Sequence, residues 1–316
     1  MHNKMKLTIL SVIALILIVA FMFISLGSNW DYVLPRRAMK IAAMVLTGSA
    51  IAFSTVVFQT ITNNRILTPS IIGLDSLYLF IQTAVVFLFG QTTLTMMNNK
   101  VHFLVTVVIM VLFSMLLFRV LFKREGQNVY FLLLVGIILG TFFSSLATFM
   151  QVLIDPNEFL IVQDKMFASF NNINTSLLLI ATALLLLTIL YAARLIKYLD
   201  VLSLGREQAI NLGVDYDYVV QRLLIVVAIM ISISTSLVGP ITFLGLLVVN
   251  VAYEFLKTYR HTYLIVGSIL ISIIALIGGQ LIVERVFTFS TTLSVIINFV
   301  GGVYFIYLLL KENKSW

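Results

Sequence analysis

Long apolar runs separated by short polar segments make up almost the whole chain of 316 residues. A helix that crosses a lipid bilayer needs about 20 mainly apolar residues. Nine uncharged runs reach about that length, at 7–30, 41–64, 76–99, 101–118, 126–154, 166–193, 223–253, 261–283 and 286–310. The pattern therefore predicts a series of helices that cross a membrane.

The seventh run, 223–253, is too long for one crossing. At about 1.5 Å per residue, a single helix of this length would exceed a hydrocarbon core of about 30 Å, and Gly239-Pro240 lies near its middle. Dividing it there gives ten spans. With the N-terminus inside, ten spans put 14 of the 20 Lys and Arg residues in cytoplasmic segments, as the positive-inside rule expects. We therefore predict an all-α, polytopic protein of the cell membrane with both termini in the cytoplasm.

Composition supports this fold class and excludes others. The chain is 61% hydrophobic and 10% charged, far from the average soluble domain. The net charge of +7 comes from single basic residues between apolar runs. It therefore reflects how the chain is oriented in the membrane and does not indicate a nucleic-acid-binding surface. The sequence contains no cysteine, which excludes disulfides and thiolate sites. The first apolar run is too long for a typical signal peptide, and we interpret it as an uncleaved span.

No enzyme motif is present. The sequence lacks a phosphate-binding P-loop and an H-E-x-x-H zinc motif, and His2, His102 and His261 are scattered near span ends, where we expect them to be interfacial. Ion-driven carriers usually hold acidic residues deep in their spans. Because Asp75 and Glu284 fall near predicted span ends, we expect a transport subunit with no catalysis, no cofactor and no metal of its own, whose energy comes from another protein.

A short polar segment, "LSLGREQAINLGVDYD" at 202–217, interrupts the apolar sequence between spans six and seven. Residues 206–212 are predicted to form about two helical turns. Gly213 suits the left-handed position after a helix, and Gly205 allows a close backbone approach. The topology places this helix in the cytoplasm.

One face of this helix suits contact with another protein. Ala209 and Leu212 are predicted to share that face, and Leu204 lies near it. A small-residue face on a cytoplasmic loop is suited to docking in a groove of a partner. The alternative is a helix that lies passively on the inner leaflet.

Several motifs together resemble the permeases of iron-siderophore and cobalamin ABC importers. Leu204, Gly205, Ala209, Leu212, Gly213 and Val214 match the family's coupling segment, L-G-x-x-x-A-x-x-L-G-V. Further matches, in chain order, are Leu34-Pro35-Arg36, Gln59 with Asn64, Pro69 and Gly73, then Gly136, 239–250 and the "GGVYFIYLLLK" that begins at Gly301. The resemblance covers about residues 30–311.

The resemblance implies a type II ABC importer permease fold, with one transmembrane domain over 1–316 and a coupling helix at about 203–214. In this family two permeases line one pathway, two ATPases bind the coupling helices, and an extracellular substrate-binding lipoprotein docks outside. The expected cargo is a ferric siderophore, and the sequence is most similar to the petrobactin and catecholate branch of Gram-positive bacteria, whose permeases form heterodimers. Haem or cobalamin is the alternative cargo.

The resemblance also implies roles for particular residues. The ATPase-coupling residues are Leu204, Gly205, Arg206, Glu207, Ala209, Leu212 and Gly213. The residues expected to dock the binding protein are Arg36, Arg37 and Arg285, for which membrane anchoring is the alternative. The expected pathway residues are Gln59, Asn64, Pro69, Gly73, Gly136, Gly140 and Ser144. For the small residues of span five the alternative is helix packing alone, and for Gln59 and Asn64 it is hydrogen bonding to nearby backbone.

The sequence departs from the family motifs at four places, which bear on rim contacts more than on architecture. The departures are Val33, Arg65, Val249-Asn250 and the segment 290–294. Different outer contacts can be divided between two subunits, so these departures favour a heterodimer. Two other classes stay open from the residues alone: an ion-coupled secondary transporter, which lacks support from mid-span acids, and a polytopic membrane enzyme, which lacks a convergent catalytic set.

Overall fold

The computed structural model describes residues 3–24, 29–96, 98–121, 129–171, 173–289 and 291–312, and it contains helices and no strand within them. The α-helices are α1 (Asn3–Phe23), α2 (Trp30–Thr62), α3 (Leu74–Met96), α4 (Asn99–Leu121), α5 (Val129–Leu153), α6 (Pro156–Met166), α7 (Thr175–Ala193), α8 (Leu199–Leu202), α9 (Arg206–Asn211), α10 (Tyr216–Val238), α11 (Leu244–Leu256), α12 (His261–Arg285) and α13 (Leu293–Glu312). Short 3₁₀ helices occupy Pro69–Ile72 and Ile196–Tyr198.

The apolar helices correspond to the ten predicted spans. Seven described helices are long and apolar enough to cross a membrane, and the shorter stretches Leu74–Gly90, Leu244–Leu256 and Leu293–Leu308 are also apolar. The all-α polytopic fold is therefore confirmed. Helix α6 was not predicted: it begins after the fifth apolar run, 126–154, and ends where the sixth, 166–193, begins. It begins because Pro156 fits the first helical position and the Asp155 carboxylate accepts the Asn157 N–H at 2.9 Å.

The division of the seventh apolar run at Gly239 is also confirmed. Helix α10 ends at Val238, and Gly239 has φ 98°, a conformation that an L side chain rarely adopts. A Cβ atom on Gly239 would lie 3.0 Å from the Ala168 Cα, so the backbone also passes too close for a side chain. The chain then enters α11 at Leu244.

Helix α2 is the central element of the bundle. It packs against α10, α11 and α12, and its residues from 50 to 62 are all buried. Small residues allow these contacts, as is usual in lipid. A Cβ atom on Gly48 would lie 2.7 Å from the Ser272 hydroxyl of α12, and one on Gly245 of α11 would collide with Thr55.

A second close contact joins α5 to the start of α3. A Cβ atom on Gly136 would lie 2.9 Å from the Ile72 Cα, and one on Gly73 would lie 2.9 Å from the Gly140 Cα. Gly73 also has φ 86°. These glycines let the 3₁₀ helix and α3 lie directly against α5.

The long α2 helix separates two ends of the molecule. Its 33 residues extend over about 50 Å at about 1.5 Å per residue. Arg37 near its start contacts the end of α1. Thr60 near its finish contacts His261 at the start of α12, which in turn contacts Asp200 of α8. Helix α9 follows α8, so α9 and the arginine at the start of α2 lie at opposite ends.

The α5 contact predicts unequal effects of adding one methyl group to two helical glycines. Gly136→Ala should lower stability by about 1–3 kcal/mol, because the new Cβ meets backbone that cannot rotate away. Gly302→Ala is the control, because a Cβ there meets nothing within 4 Å. Thermal unfolding of the two detergent-purified variants measures the difference, and equal melting temperatures would contradict this packing account.

Candidate functional site

The polar segment between α7 and α10 contains the predicted short helix, as α9. Gly205, just before it, has φ 96°, and Gly213, just after it, has φ 83°. Nothing lies within 4 Å of a Cβ built on Gly213, and one on Gly205 meets only the tip of Gln208. Both glycines are therefore needed for their backbone conformation. The close approach expected at Gly205 does not occur within this chain.

The exposed face of α9 differs from the face expected from the sequence. Ala209 is fully buried, so it packs inside the molecule and does not share an exposed face with Leu212. Leu212 and Leu204 are 62% and 55% exposed, and Ile210, which the motif did not indicate, is 47% exposed. The apolar side chains on and beside α9 that a partner can reach are therefore Leu204, Ile210 and Leu212, and we call them the α9 surface.

Local hydrogen bonds form the turn between α9 and α10. The Val214 N–H donates to the Ala209 carbonyl at 3.0 Å, and the Asp215 carboxylate accepts the Tyr218 N–H at 3.2 Å to cap α10. Arg206 pairs with Asp217 at 3.3 Å, but both side chains are nearly half exposed, so this pair contributes little to stability. Glu207 is exposed on α9. The helix is thus held from its buried side, which leaves the α9 surface uncovered.

The three arginines expected to dock a binding protein have different surroundings. Arg37 Nη1 donates to the carbonyls of Phe21, Met22 and Ile24 at 2.9, 3.0 and 2.8 Å. Arg285 Nη2 donates to the Ile24 carbonyl at 3.0 Å. Both side chains therefore satisfy carbonyl groups that helix α1 leaves without partners at its end.

Arg36 is the arginine most accessible to a partner. It is exposed, and its guanidinium lies 4.1 Å from the centre of the Tyr32 ring. It borders a cavity of about 400 Å³ whose wall also includes Arg37 and Lys40. Lys40 pairs with Glu284 at 2.9 Å. Within the described part of the chain Arg36 forms no ion pair, so it is the basic group of this cavity that a partner can reach from outside.

Gln59 and Asn64, two of the expected pathway residues, bond to nearby backbone. Gln59 Nε2 donates to the Arg65 carbonyl at 2.6 Å, and Asn250 Nδ2 donates to the same oxygen at 2.9 Å. The Asn64 side chain accepts the Ile66 N–H at 2.8 Å. Together they hold the loop after α2, where a departure from helix would otherwise leave backbone groups without partners.

The remaining expected pathway residues fall into two groups. Gly73, Gly136 and Gly140 meet at the contact between α3 and α5, and Pro69 is buried beside them at the start of the 3₁₀ helix. Ser144 instead lies on an exposed hydroxyl-rich groove along α5, together with Ser76, Thr141, Ser145 and Thr148. The groove is open to the outside of this chain, so it can form a wall of a pathway shared with another subunit.

Three polar contacts were not predicted from the sequence because their members lie far apart in the chain. Thr242, in the break between α10 and α11, donates to Asp75 at 3.3 Å and so joins that break to the start of α3. His261, expected at the interface, is only 4% exposed and contacts Asp200 at 2.6 Å and Thr60 at 2.9 Å.

The Asp200 carboxyl is ionised at neutral pH. Partial burial alone would raise its pKa, but hydrogen bonds from the backbone N–H and imidazole of His261 outweigh that effect, and the positive charge of Arg260 adds to them. The net result is a pKa below the ordinary value for aspartate. The shift depends on Asp200 and on two donor groups of His261. These residues are 61 positions apart, so no short sequence motif contains both.

Comparison with known proteins gives a consistent result. The model of the FecCD transport family matches residues 6–311. The chain is 66% identical over 316 residues, the full length of both, to the petrobactin import system permease protein YclO of Bacillus subtilis. Two petrobactin import system permease proteins of Bacillus anthracis also match. FatC is 39% identical over 89% of this chain and 79% of the length of FatC. FatD is 26% identical over 88% of this chain and 81% of the length of FatD.

A solved structure shares the fold. It is an inward-facing metal-chelate type ABC transporter, and the superposition covers 98% of this chain and 99% of that one with a TM-score of 0.85 at 21% identity. This likeness confirms the predicted permease fold.

Proposed function

The chain belongs to the FecCD transport family, and from this premise we propose that it is a permease that carries ferric petrobactin into the cell as part of an ABC importer. The observation that carries the proposal is the 66% identity to the petrobactin permease YclO over the whole chain. The chain acts as a transport subunit and performs no covalent chemistry. Its residues 1–316 work as one permease domain.

We place the α9 end of the molecule in the cytoplasm, with both termini. The supporting observation is that 14 of the 20 basic residues fall on that side when ten spans are counted. The α9 surface then faces the compartment that holds ATP. A partner ATPase docks there through Leu204, Ile210 and Leu212, and its ATP-driven movement displaces α9 and changes the side on which the pathway opens.

A second, related permease completes the pathway. Bacillus anthracis has two petrobactin permeases that are similar to this chain to different degrees, which supports a heterodimer. The hydroxyl groove at Ser144 supplies a polar wall that one subunit alone leaves open. At the outer end, Arg36 receives an acidic residue of the extracellular binding lipoprotein, while Arg37 and Arg285 hold α1 in place.

A charge in the α9 surface is expected to separate the permease from its ATPase. Leu212→Asp removes an apolar contact and introduces a charge that an apolar groove cannot solvate. The variant should fold, because the side chain is exposed, but lose about tenfold or more in ATPase affinity. Co-purification of the ATPase and siderophore uptake measure both effects.

The matched control for Leu212→Asp is Tyr259→Asp. Tyr259 is 78% exposed and lies between α11 and α12 at the same end of the molecule, outside the α9 surface. The control should keep its ATPase and its transport. If Leu212→Asp retained both as well, the docking role of the α9 surface would be wrong.

Charge reversal at Arg36 is expected to slow docking of the binding protein. Arg36→Glu should lower the association rate, most clearly at low salt, because exposed charge pairs act mainly on encounter and are screened by salt. Lys100→Glu, also exposed, is the control. Surface plasmon resonance on permease in nanodiscs measures the rates, and an unchanged rate for Arg36→Glu at low salt would refute this assignment.

Cargo is tested by uptake in cells that lack this chain. Cells with the intact importer should accumulate iron from labelled ferric petrobactin, and deletion should abolish that accumulation until the chain is restored. Haem and cobalamin, which are carried by the same class of permease, serve as the comparison ligands. Loss of haem or cobalamin uptake with normal petrobactin uptake would reverse the cargo assignment.

A further inference from the structure

A chain of three polar side chains, of which His261 and Thr60 are buried and Asp200 is half exposed, connects the segment before α9 with two long helices of the bundle. Its members are Asp200 on α8, His261 at the start of α12 and Thr60 near the end of α2. We propose that this Asp200–His261–Thr60 link positions α9 and transmits its displacement to α2 and α12. The proposal rests on the proposed docking of an ATPase at the α9 surface.

The Asp200 carboxylate caps helix α12 from another element. Its Oδ1 atom accepts the His261 backbone N–H at 2.9 Å and the His261 Nδ1–H at 2.6 Å. The residue that precedes α12, Arg260, makes no side-chain cap of its own. The start of α12 therefore depends on α8 for a hydrogen-bond acceptor and for the negative charge that a helix N-terminus favours.

His261 passes the contact on to α2. Its Nε2 atom lies 2.9 Å from Thr60 Oγ1, and Thr60 also donates to the Val56 carbonyl at 2.8 Å within α2. His261 and Thr60 are 4% and 5% exposed, so water does not compete for these bonds. Breaking the contact between His261 and Thr60 would leave the buried His261 Nε2 atom without this partner, which is costly.

Helices α8 and α9 are joined closely enough to move together. The Ser203 hydroxyl donates to the Asp200 carbonyl at 2.8 Å, and the Gly205 N–H donates to the Leu202 carbonyl at 3.1 Å. Leu202 and Ala209 are buried, so both helices are anchored by apolar side chains as well. A force applied to the α9 surface therefore reaches Asp200 within a few residues.

The link differs from apolar packing because it resists the sliding of one helix along another. Apolar side chains at a helix contact can slide past one another by small steps, as in shear motions. Directional hydrogen bonds hold donor and acceptor in one arrangement, and separating the buried His261 and Thr60 side chains is costly because it leaves buried polar atoms unpaired. The link thus favours joint movement of α8, α12 and α2 over sliding of α8 alone.

The test uses the assembled importer and measures movement and transport together. The chain contains no cysteine, so spin labels can be placed at Gln208→Cys on α9 and Val266→Cys on α12, both exposed positions. Electron spin resonance gives the distance between them without nucleotide and with ATP. With the link intact, the distance distribution should stay narrow in both states while α9 becomes immobilised on ATPase binding.

Without the link, α9 should still become immobilised on ATPase binding, but the distribution of distances between α9 and α12 should no longer stay narrow. Asp200→Ala and His261→Ala should each broaden the α9–α12 distance distribution and lower siderophore uptake per ATP hydrolysed by about tenfold, the size expected for one lost charge-assisted hydrogen bond. The double variant should be no worse than either single one, because both remove the same contact. Asp200→Asn keeps an acceptor oxygen and should restore most of the coupling.

Thr60 has its own matched control. Thr60→Val should reduce uptake per ATP, whereas Thr47→Val should not, because the buried Thr47 hydroxyl bonds only to the Ala43 carbonyl of its own helix. Size-exclusion profiles and melting temperatures identify any variant that fails to fold, and Asp200→Asn then decides the outcome. Unchanged distances and unchanged uptake per ATP in folded Asp200→Ala and His261→Ala would overturn the link. Failure of the ATPase to immobilise α9 in the unmodified chain would instead overturn the docking role and the link with it.

Discussion

A chain that crosses lipid must satisfy its own backbone hydrogen bonds, and this requirement decides where the molecule can depart from regular helix. The loop after α2 is possible because Gln59 and Asn250 both donate to the Arg65 carbonyl. The break between α10 and α11 is possible because Thr242 bonds to Asp75 at the start of α3. At the other end of the molecule, the Arg37 side chain donates hydrogen bonds to the last carbonyl groups of α1. Four of the polar side chains expected to touch cargo or partners bond to backbone at such places, namely Gln59, Asn64, Arg37 and Arg285.

Two further polar features lie at the two ends of α2. Its start carries the exposed Arg36, and its finish carries Thr60, which is joined through His261 to the segment before α9. A stiff helix that packs against α10, α11 and α12 connects the two ends. In the proposed importer, events at the ATPase and events at the binding protein are therefore communicated through the same central element.

The sequence was sufficient where local chemistry decides the structure. Apolar run lengths and the break at Gly239 predicted the spans, and Gly213 was correctly expected to take a left-handed conformation. It was insufficient where tertiary packing decides. Ala209 turned inward because neighbouring helices cover it, and α6 formed between the fifth and sixth apolar runs. Asp200 and His261 are 61 positions apart, so only the fold reveals that they touch. In the proposed heterodimer, the residues that bind cargo also depend on the second permease.

The central claim is that energy enters through α9 from ATP and not through an ion held within the spans. The most direct measurement is uptake of labelled ferric petrobactin into proteoliposomes that contain this chain, its partner permease, the ATPase and the binding protein. The account predicts uptake that requires ATP on the α9 side and persists when ionophores collapse all ion gradients. Uptake that is driven by a proton or sodium gradient without ATP would contradict it.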